Sequence, residues 1–218
     1  MGKFEVLLFD LDGTLTDSGP GILNCARYAL TKMGREIPDD LNAFIGPPLT
    51  YSFTHLFGMN EEDTEKAIFF YRERYSTKGL FENGVYDGVP EMLERLQNAG
   101  FTLAVATNKP ERFAKPIAEH FGLAKYFKVI AGSYSDTVRN TKHEIIEYAM
   151  EQLGVTDKSK VLMIGDRCHD IVGAHEAGVK ALGILWGYGD SEELTGHGAD
   201  FLAETPEETA DRIINNRL

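Results

Sequence analysis

Two aspartates near the start of the chain have a spacing that indicates phosphoryl-transfer chemistry. Asp10 and Asp12 directly follow the apolar run Val6-Leu7-Leu8-Phe9, which is typical of a buried strand in a parallel sheet. Side chains alternate along a strand, so both carboxylates are expected on one face. One carboxylate could then attack a phosphorus atom while the other transfers a proton.

Gly13 follows this pair and permits a sharp turn that would expose backbone N–H groups to an anion. A calcium-binding loop is the alternative interpretation of these acidic residues. An EF-hand loop that starts at Asp10 needs Gly at its sixth position and Glu at its twelfth, but Leu15 and Gly21 stand there. The calcium-loop interpretation therefore fails.

A second predicted strand, 102–106, ends in residues suited to holding a phosphate. Thr107, Asn108 and Lys109 offer a hydroxyl, an amide and an ammonium group at this strand end. A helix cap with a solvent-exposed lysine is the alternative, because Pro110 could open the next helix.

A third predicted strand, 161–164, is followed by two more acids, Asp166 and Asp170. If Asp10 and Asp166 share a pocket, two carboxylates about 4 Å apart repel by roughly 4 kcal/mol at a surface-like effective dielectric. A divalent cation relieves this repulsion, and oxygen ligands beside a phosphate favour Mg²⁺. For Asp170, an acid that favours a helix N-terminus is the alternative.

Lys142 is predicted to open the helix that follows the loop 133–141. Its ammonium group could neutralise both Asp10 and an incoming phosphate. Arg139 and His143 are neighbours that could take the same role, and the residues alone leave this choice open.

The composition is that of a globular protein: the chain has 218 residues, of which 43% are apolar, and its formal charge is −12. Such a charge disfavours nucleic acid and anionic membrane surfaces as partners. Because no apolar stretch approaches the length of a membrane span, we expect a cytoplasmic protein. Cys25 and Cys168 are expected to be reduced thiols.

Hydrophobic periodicity predicts an α/β fold, a doubly wound parallel-sheet core of the Rossmann-like kind with an inserted α-helical cap. The predicted core comprises residues 1–16 and 83–218, and the predicted cap comprises 17–82. Helices are expected at 20–34 and 61–78 in the cap, with a break at Phe44–Leu49. In the core, strands are expected at 102–106, 128–131, 161–164 and 180–184, and helices at 90–99, 111–121, 143–153 and 170–177.

Four parts of the sequence resemble the four motifs of the haloacid dehalogenase-like hydrolase superfamily: residues 10–14, the strand end at Thr107 and Asn108, Lys142, and residues 165–170. The likeness covers nearly the whole chain. Ser18, the segment Ile45-Gly46-Pro47-Pro48-Leu49 and the ending His169-Asp170-Ile171 look like its phosphoglycolate phosphatase and 5′-nucleotidase-like branch. The family lysine is often followed by Pro, whereas here His143 follows Lys142.

The resemblance implies a Mg²⁺-dependent phosphatase that acts on a small phosphorylated metabolite through an aspartyl-phosphate. It implies that Asp10 is the nucleophile and Asp12 the general acid/base, with Thr107 and Lys142 stabilising the phosphoryl group. Substrate contacts are expected from Gly13, Thr14, Asn108, Lys109 and the cap residues Ile45, Gly46 and Pro47. The expected Mg²⁺ ligands are Asp10, the backbone carbonyl of Asp12, Asp166, and Asp170 either directly or through water.

Two other functions stay open at this point. A phosphomutase of the β-phosphoglucomutase type shares the core and differs in the group that accepts the phosphoryl group. A receiver-like signalling module also uses clustered aspartates, Mg²⁺, a threonine and a lysine, although the inserted cap and Asp12 argue against it. Monomer and homodimer both remain open.

Overall fold

Val6–Phe9, the apolar run before Asp10, forms a central strand of a six-stranded parallel sheet in the computed structural model, which describes residues 4–134 and 138–218. In chain order the strands are β1 (Val6–Phe9), β2 (Thr16–Asp17), β3 (Gly84–Val85), β4 (Thr102–Pro110), β5 (Val129–Ser133), β6 (Val161–Gly165), β7 (Lys180–Ile184) and β8 (Phe201–Ala203). The order across the sheet is β5-β4-β1-β6-β7-β8, and β2 pairs with β3 in a separate two-stranded sheet. This topology confirms the predicted doubly wound α/β core.

The apolar runs form strands because both faces of this sheet are covered. Leu7, Leu8 and Phe9 are fully buried, as expected for a central parallel strand without polar alternation. In the register of the sheet, Phe9 lies beside Val105 of β4 and Ile164 of β6. The residues that follow these three positions therefore meet at one edge of the sheet.

Helices cover the two faces of the sheet and form the inserted segment. They are α1 (Gly19–Lys32), α2 (Leu49–Tyr51), α3 (Glu61–Tyr75), α4 (Val89–Asn98), α5 (Glu111–His120), α6 (Lys142–Gln152), α7 (Cys168–Glu176), α8 (Ser191–Gly196) and α9 (Pro206–Ile214). Ile145, Ile146 and Ala149 on α6 are fully buried in the core together with Leu8 and Met163. This apolar face fixes α6 on the sheet, because burial of such side chains is the main stabilising contribution to helix packing.

The chain divides into two compact units, Met1–Asp17 with Val85–Leu218, and Ser18–Gly84. Within the second unit, α1 and α3 are joined through a 3₁₀ turn at Asn42–Phe44, α2 and a π-helical turn at Ser52–Leu56. The predicted break in the helical pattern is present, since no helix covers residues 45–48. Arg74 and Glu82 form an ion pair within this unit.

Several elements differ from the sequence-based expectations. Strand β4 continues to Pro110 instead of ending at Ala106, and α7 begins at Cys168 rather than Asp170. The short elements β8, α8 and α9 were not predicted, because their apolar patterns are only a few residues long. Cys25 and Cys168 are free thiols, as expected. Among the described residues, no helix has the length and apolarity that a membrane crossing requires.

Candidate active site

Three neighbouring strands bring the predicted strand-end residues together. Because β4, β1 and β6 are adjacent and in register, the residues that follow Phe9, Val105 and Ile164 lie at the carboxyl edge of the sheet. The backbone N–H of Asp10 donates to the carbonyl of Ile164, with an N···O distance of 2.9 Å. Ligand sites in open parallel sheets occur at this edge.

Asp10, Asp166 and Asp170 form a buried carboxylate cluster. One oxygen atom from each residue lies within 4.8 Å of the others. Asp166 is fully buried, while Asp10 is 8% exposed and Asp170 2% exposed. Carboxylates this close and this buried need a cation or protons, because their mutual repulsion is strong away from water.

Lys142 supplies one positive charge to this cluster. Its Nζ lies 2.7 Å from Oδ1 of Asp10 and 2.6 Å from Oδ1 of Asp170, and it donates to the carbonyl oxygen of Ala106 at 3.0 Å. Burial alone would lower the pKa of Lys142, but the charges of Asp10 and Asp170 outweigh burial and raise it. The ammonium group is therefore charged at neutral pH.

The neighbours of Lys142 have other partners, which resolves the choice that the sequence left open. The Arg139 guanidinium pairs with Glu111 at 2.6 Å, and Nδ1 of His143 lies 3.2 Å from Glu176. Lys142 begins α6, whose N-terminus is capped by Thr141. The helix start places its side chain toward the carboxylates even though His143 stands where the family often has Pro.

The pKa values of two of these aspartates are raised. For Asp10, burial is the largest cause and Asp170 and Asp12 add to it, while Lys142 opposes it; the resulting pKa is about 6. Burial, followed by the charges of Asp170 and Asp10, raises the pKa of Asp166 to about 8. Asp10 and Asp166 thus hold protons more tightly than an ordinary aspartate does, and a divalent cation would compete with those protons.

Asp12 points its carboxylate toward a different partner. Oδ2 of Asp12 pairs with Nζ of Lys109 at 2.5 Å, and the Lys109 side chain is only 6% exposed. Oδ1 of Asp12 is buried and has no hydrogen-bond partner among the described residues. A buried acceptor without a hydrogen bond destabilises the fold unless a donor reaches it. A substrate oxygen that carries a proton, or a water molecule, would be such a donor.

Thr107 and Asn108 occupy the expected strand end, but Asn108 has a contact that the sequence did not suggest. Thr107 is 1% exposed, and its hydroxyl oxygen accepts from the backbone N–H of Lys109 at 3.2 Å. The Asn108 amide donates to the carbonyl of Asn140 at 3.3 Å. Asn108 thereby connects β4 to the residues just before Lys142.

Gly13 and Thr14 contact Asp166, and their expected contacts with a substrate anion stay a prediction. Gly13 has φ +85°, and a Cβ there would lie 2.2 Å from Oδ2 of Asp166. Its N–H donates to the carbonyl of Thr16, so this group closes the turn instead of being exposed. Thr14 is fully buried, and its hydroxyl donates to Oδ1 of Asp166 at 3.1 Å. Both residues therefore restrain the position of the Asp166 carboxylate.

Sequence reasoning missed the segment Trp186-Gly187-Tyr188-Gly189, which follows β7. The Tyr188 N–H donates to Oδ2 of Asp166 at 2.8 Å, and the Trp186 indole N–H donates to the carbonyl of Thr14 at 3.0 Å. The signal was available, since this segment is a glycine-rich stretch directly after a predicted strand.

Ile45, Gly46 and Pro47, the predicted substrate-reading residues, belong to the Ser18–Gly84 unit. They lie between the 3₁₀ turn Asn42–Phe44 and α2. Gly46 is exposed and has φ +107°, a conformation that L-residues rarely adopt. The turn is thus built on a glycine, and its role in substrate recognition stays a prediction.

Comparison with known proteins agrees with the family resemblance of the sequence motifs. A model of the haloacid dehalogenase-like hydrolase family matches residues 7–184. A 5′-nucleotidase from Pseudomonas aeruginosa is 44% identical over 197 residues, which cover 89% of this chain and 89% of that protein. The tyrosine-protein kinase PtkA from Mycobacterium tuberculosis is 40% identical over 190 residues, covering 86% of this chain and 64% of the relative.

Two further relatives match almost the full length of the chain. A phosphoglycolate phosphatase from Vibrio parahaemolyticus is 31% identical over 211 residues, which cover 92% of each chain. A solved structure from Clostridium difficile, named as a candidate phosphatase, has a TM-score of 0.92 and 41% identity over 98% of this chain and 100% of that chain.

Proposed function

Because this chain belongs to the haloacid dehalogenase-like hydrolase family, we propose that this phosphoric monoester hydrolase is Mg²⁺-dependent and forms an aspartyl-phosphate on Asp10. Its substrate is a small phosphomonoester. The observation that carries the proposal is the buried cluster of Asp10, Asp166 and Asp170 with Lys142 between two of its members.

Asp10 fits the role of nucleophile. It lies at the end of β1, where the strand holds it rigidly, and its pKa of about 6 leaves the carboxylate mostly ionised at neutral pH. In the first step an Asp10 oxygen forms a bond to phosphorus while the bond from phosphorus to the leaving oxygen breaks. Lys142 and Thr107 stabilise the negative charge on the phosphoryl oxygens.

Asp12 transfers the protons that both steps require. In the first step it gives a proton to the leaving alkoxide, and in the second it takes a proton from the water that attacks the phosphoenzyme. The unpartnered Oδ1 of Asp12 is the atom available for both transfers, because Lys109 occupies Oδ2. The second step releases phosphate and restores Asp10.

The carboxylate cluster fits Mg²⁺. Three buried carboxylates against one lysine leave excess negative charge when all are ionised, and the oxygen-only donor set suits this ion. Asp10, Asp166, the backbone carbonyl of Asp12 and Asp170, directly or through water, would hold it. When bound, Mg²⁺ supplies positive charge beside the transferring phosphoryl group.

Two substrate classes are supported by the names of the relatives, nucleoside 5′-monophosphates and phosphoglycolate. We assign substrate selection to the Ser18–Gly84 unit, acting as a cap, with Ile45, Gly46 and Pro47 as its substrate-reading residues. Caps of this kind exclude water from the reaction and hold the leaving group.

A released-phosphate assay with purified protein tests the proposal. The panel should contain nucleoside monophosphates, phosphoglycolate and sugar phosphates, each with Mg²⁺ and with EDTA. We expect Mg²⁺-dependent phosphate release from at least one compound and none from Asp10→Asn. Asp211→Asn removes an exposed aspartate that pairs with Arg95 on the surface, and it should retain full activity. Isomerisation of a sugar phosphate without phosphate release would instead identify a mutase.

A further inference from the structure

The segment 186–189 packs closely against Asp166. A Cβ at Gly187 would lie 2.3 Å from the carbonyl oxygen of Gly13 and 2.4 Å from Cβ of Asp166. At Gly189 it would lie 2.0 Å from the carbonyl oxygen of Asp166. Glycines at these positions let the backbone between them approach the carboxylate.

Asp166 depends on this segment for its orientation. Lys142 pairs with Asp10 and Asp170, whereas the hydrogen bonds to the two oxygens of Asp166 come from neutral donors, the Thr14 hydroxyl and the Tyr188 N–H. Neutral hydrogen bonds restrain a carboxylate less strongly than charge-assisted ones. Displacement of Tyr188 would therefore turn the Asp166 carboxylate.

The Tyr188 side chain is held at its far end by a carboxylate. Its hydroxyl donates to Oδ1 of Asp17 at 2.8 Å, and a side-chain hydrogen bond joins Tyr188 to Tyr86. Burial, followed by the charges of Asp17 and Asp166, raises the pKa of Tyr86 to about 12, so this phenol stays protonated. Asp17 directly precedes the Ser18–Gly84 unit, and Tyr86 follows shortly after it.

We propose that Tyr188 is a positioning residue, which orients the metal-binding carboxylate Asp166 through its backbone N–H and is itself fixed by Asp17 through its hydroxyl. The inference rests on the proposed function, in which Asp166 holds Mg²⁺. Asp17 and Tyr188 thereby act on metal binding indirectly, since the hydroxyl of Tyr188 contacts Asp17 and not a carboxylate of the cluster.

The test is Mg²⁺ binding measured by isothermal titration calorimetry, without substrate. Tyr188→Phe removes only the hydroxyl and keeps the N–H that Asp166 accepts. We expect its Mg²⁺ dissociation constant to rise about 3- to 10-fold, which is less than the roughly 10- to 100-fold typical of losing a direct hydrogen-bond partner of a metal ligand, because the N–H bond to Asp166 is kept. Asp17→Ala should give a rise no larger than that of Tyr188→Phe, and the double variant should be no weaker than Tyr188→Phe alone, because Tyr188→Phe already removes the contact with Asp17.

Tyr28→Phe is the matched control, since the Tyr28 hydroxyl donates to Glu73 at 3.4 Å within the Ser18–Gly84 unit. Its Mg²⁺ affinity should equal that of the wild type. Wild-type affinity in Tyr188→Phe would overturn this inference, and additive losses in the double variant would overturn the role of Asp17. Absence of Mg²⁺ binding in the wild type would overturn the proposed function as well. A comparison of thermal unfolding in EDTA separates a folding defect from a binding defect.

Discussion

At the residue scale, the ion pair between Asp12 and Lys109 restrains the Asp12 carboxylate. Lys109 was expected to place positive charge near the substrate phosphate, and the structure shows its ammonium group on Oδ2 of Asp12. A carboxylate fixed through one oxygen presents its other oxygen in a defined direction. We therefore expect Lys109 to fix the orientation of Asp12, the proposed acid/base residue, before substrate binds.

We predict that Lys109→Met lowers kcat by about 10- to 100-fold, a part of the 10²- to 10⁴-fold that general acid–base catalysis contributes. Lys109→Arg should recover part of the loss because it keeps the positive charge. Steady-state kinetics with the best substrate of the panel measures both.

Lys115→Met is the control for this prediction, since it removes an exposed lysine that pairs with Glu111 on α5. It should leave kcat unchanged. A Lys109→Met variant with normal kcat and a raised KM would show that Lys109 binds substrate and does not position Asp12.

The residue types at the site were predictable from the sequence, and their partners were only partly so. Asp10 and Asp166 follow from strand-end position and charge, whereas the choice of Lys142 over Arg139 and His143 rested on the family resemblance. Thr14 was assigned to the substrate, and its contact with Asp166 was not predicted, because the turn after β1 folds its hydroxyl inward. Tyr188 was missed because its contact with Asp166 uses a backbone N–H, so only the neighbouring glycines, and not the tyrosine itself, could have indicated it.

At the scale of elements, the position of Lys142 depends on the contact between α6 and α7. Gly173 lies in α7, and a Cβ at this position would lie 2.5 Å from Cβ of Lys142 and 3.1 Å from the backbone N of His143. The glycine lets the two helices approach closely where Lys142 begins α6. Close packing at this point thus fixes the origin of the Lys142 side chain.

We predict that Gly173→Ala lowers the free energy of unfolding by about 1–3 kcal/mol, as overpacking does, and also reduces kcat by displacing Lys142. Urea unfolding and kinetics measure the two effects. Gly196→Ala, at the end of α8 with no atom near its added Cβ, should be neutral or slightly stabilising. Unchanged stability and activity in Gly173→Ala would contradict this prediction, because α6 and α7 could then move apart without loss of folding free energy and without displacing Lys142.

The elements were predicted well where apolar runs are long and both faces of the sheet are covered. The run 161–164 and the run 180–184 became β6 and β7 almost residue for residue. Strand β8 was missed because only three residues pair at the edge of the sheet. Strand β4 runs past Ala106 into polar residues, since pairing with β5 and not hydrophobicity sets its end.

At the scale of the whole molecule, the buried acids make stability depend on pH and metal. The folded-state pKa values of Asp10 and Asp166, about 6 and about 8, lie above the ordinary value of 3.8. Between pH 3.8 and about pH 8 the folded protein therefore binds more protons than the unfolded chain. The free energy of unfolding consequently falls as the pH rises through this range. Lys142, whose pKa is raised, stays charged throughout and adds no slope there.

We predict that the Tm of the protein in EDTA decreases from about pH 5 to about pH 8. The increase in Tm caused by Mg²⁺ should be larger at the higher pH, because ions and protons compete for the same carboxylates. Differential scanning calorimetry measures both. Asp166→Asn should flatten the dependence above about pH 6, and a Tm in EDTA that rises with pH would contradict the assigned pKa directions.

The most direct test of the account is the chemical identity of the phosphoenzyme. Protein mixed with its substrate and Mg²⁺ is quenched in acid, reduced with borohydride, which converts an aspartyl-phosphate to homoserine, and examined by peptide mass spectrometry. We predict homoserine at position 10, and neither homoserine nor phosphate in Asp10→Asn. Phosphate on another residue, or turnover with no modification at Asp10, would contradict it.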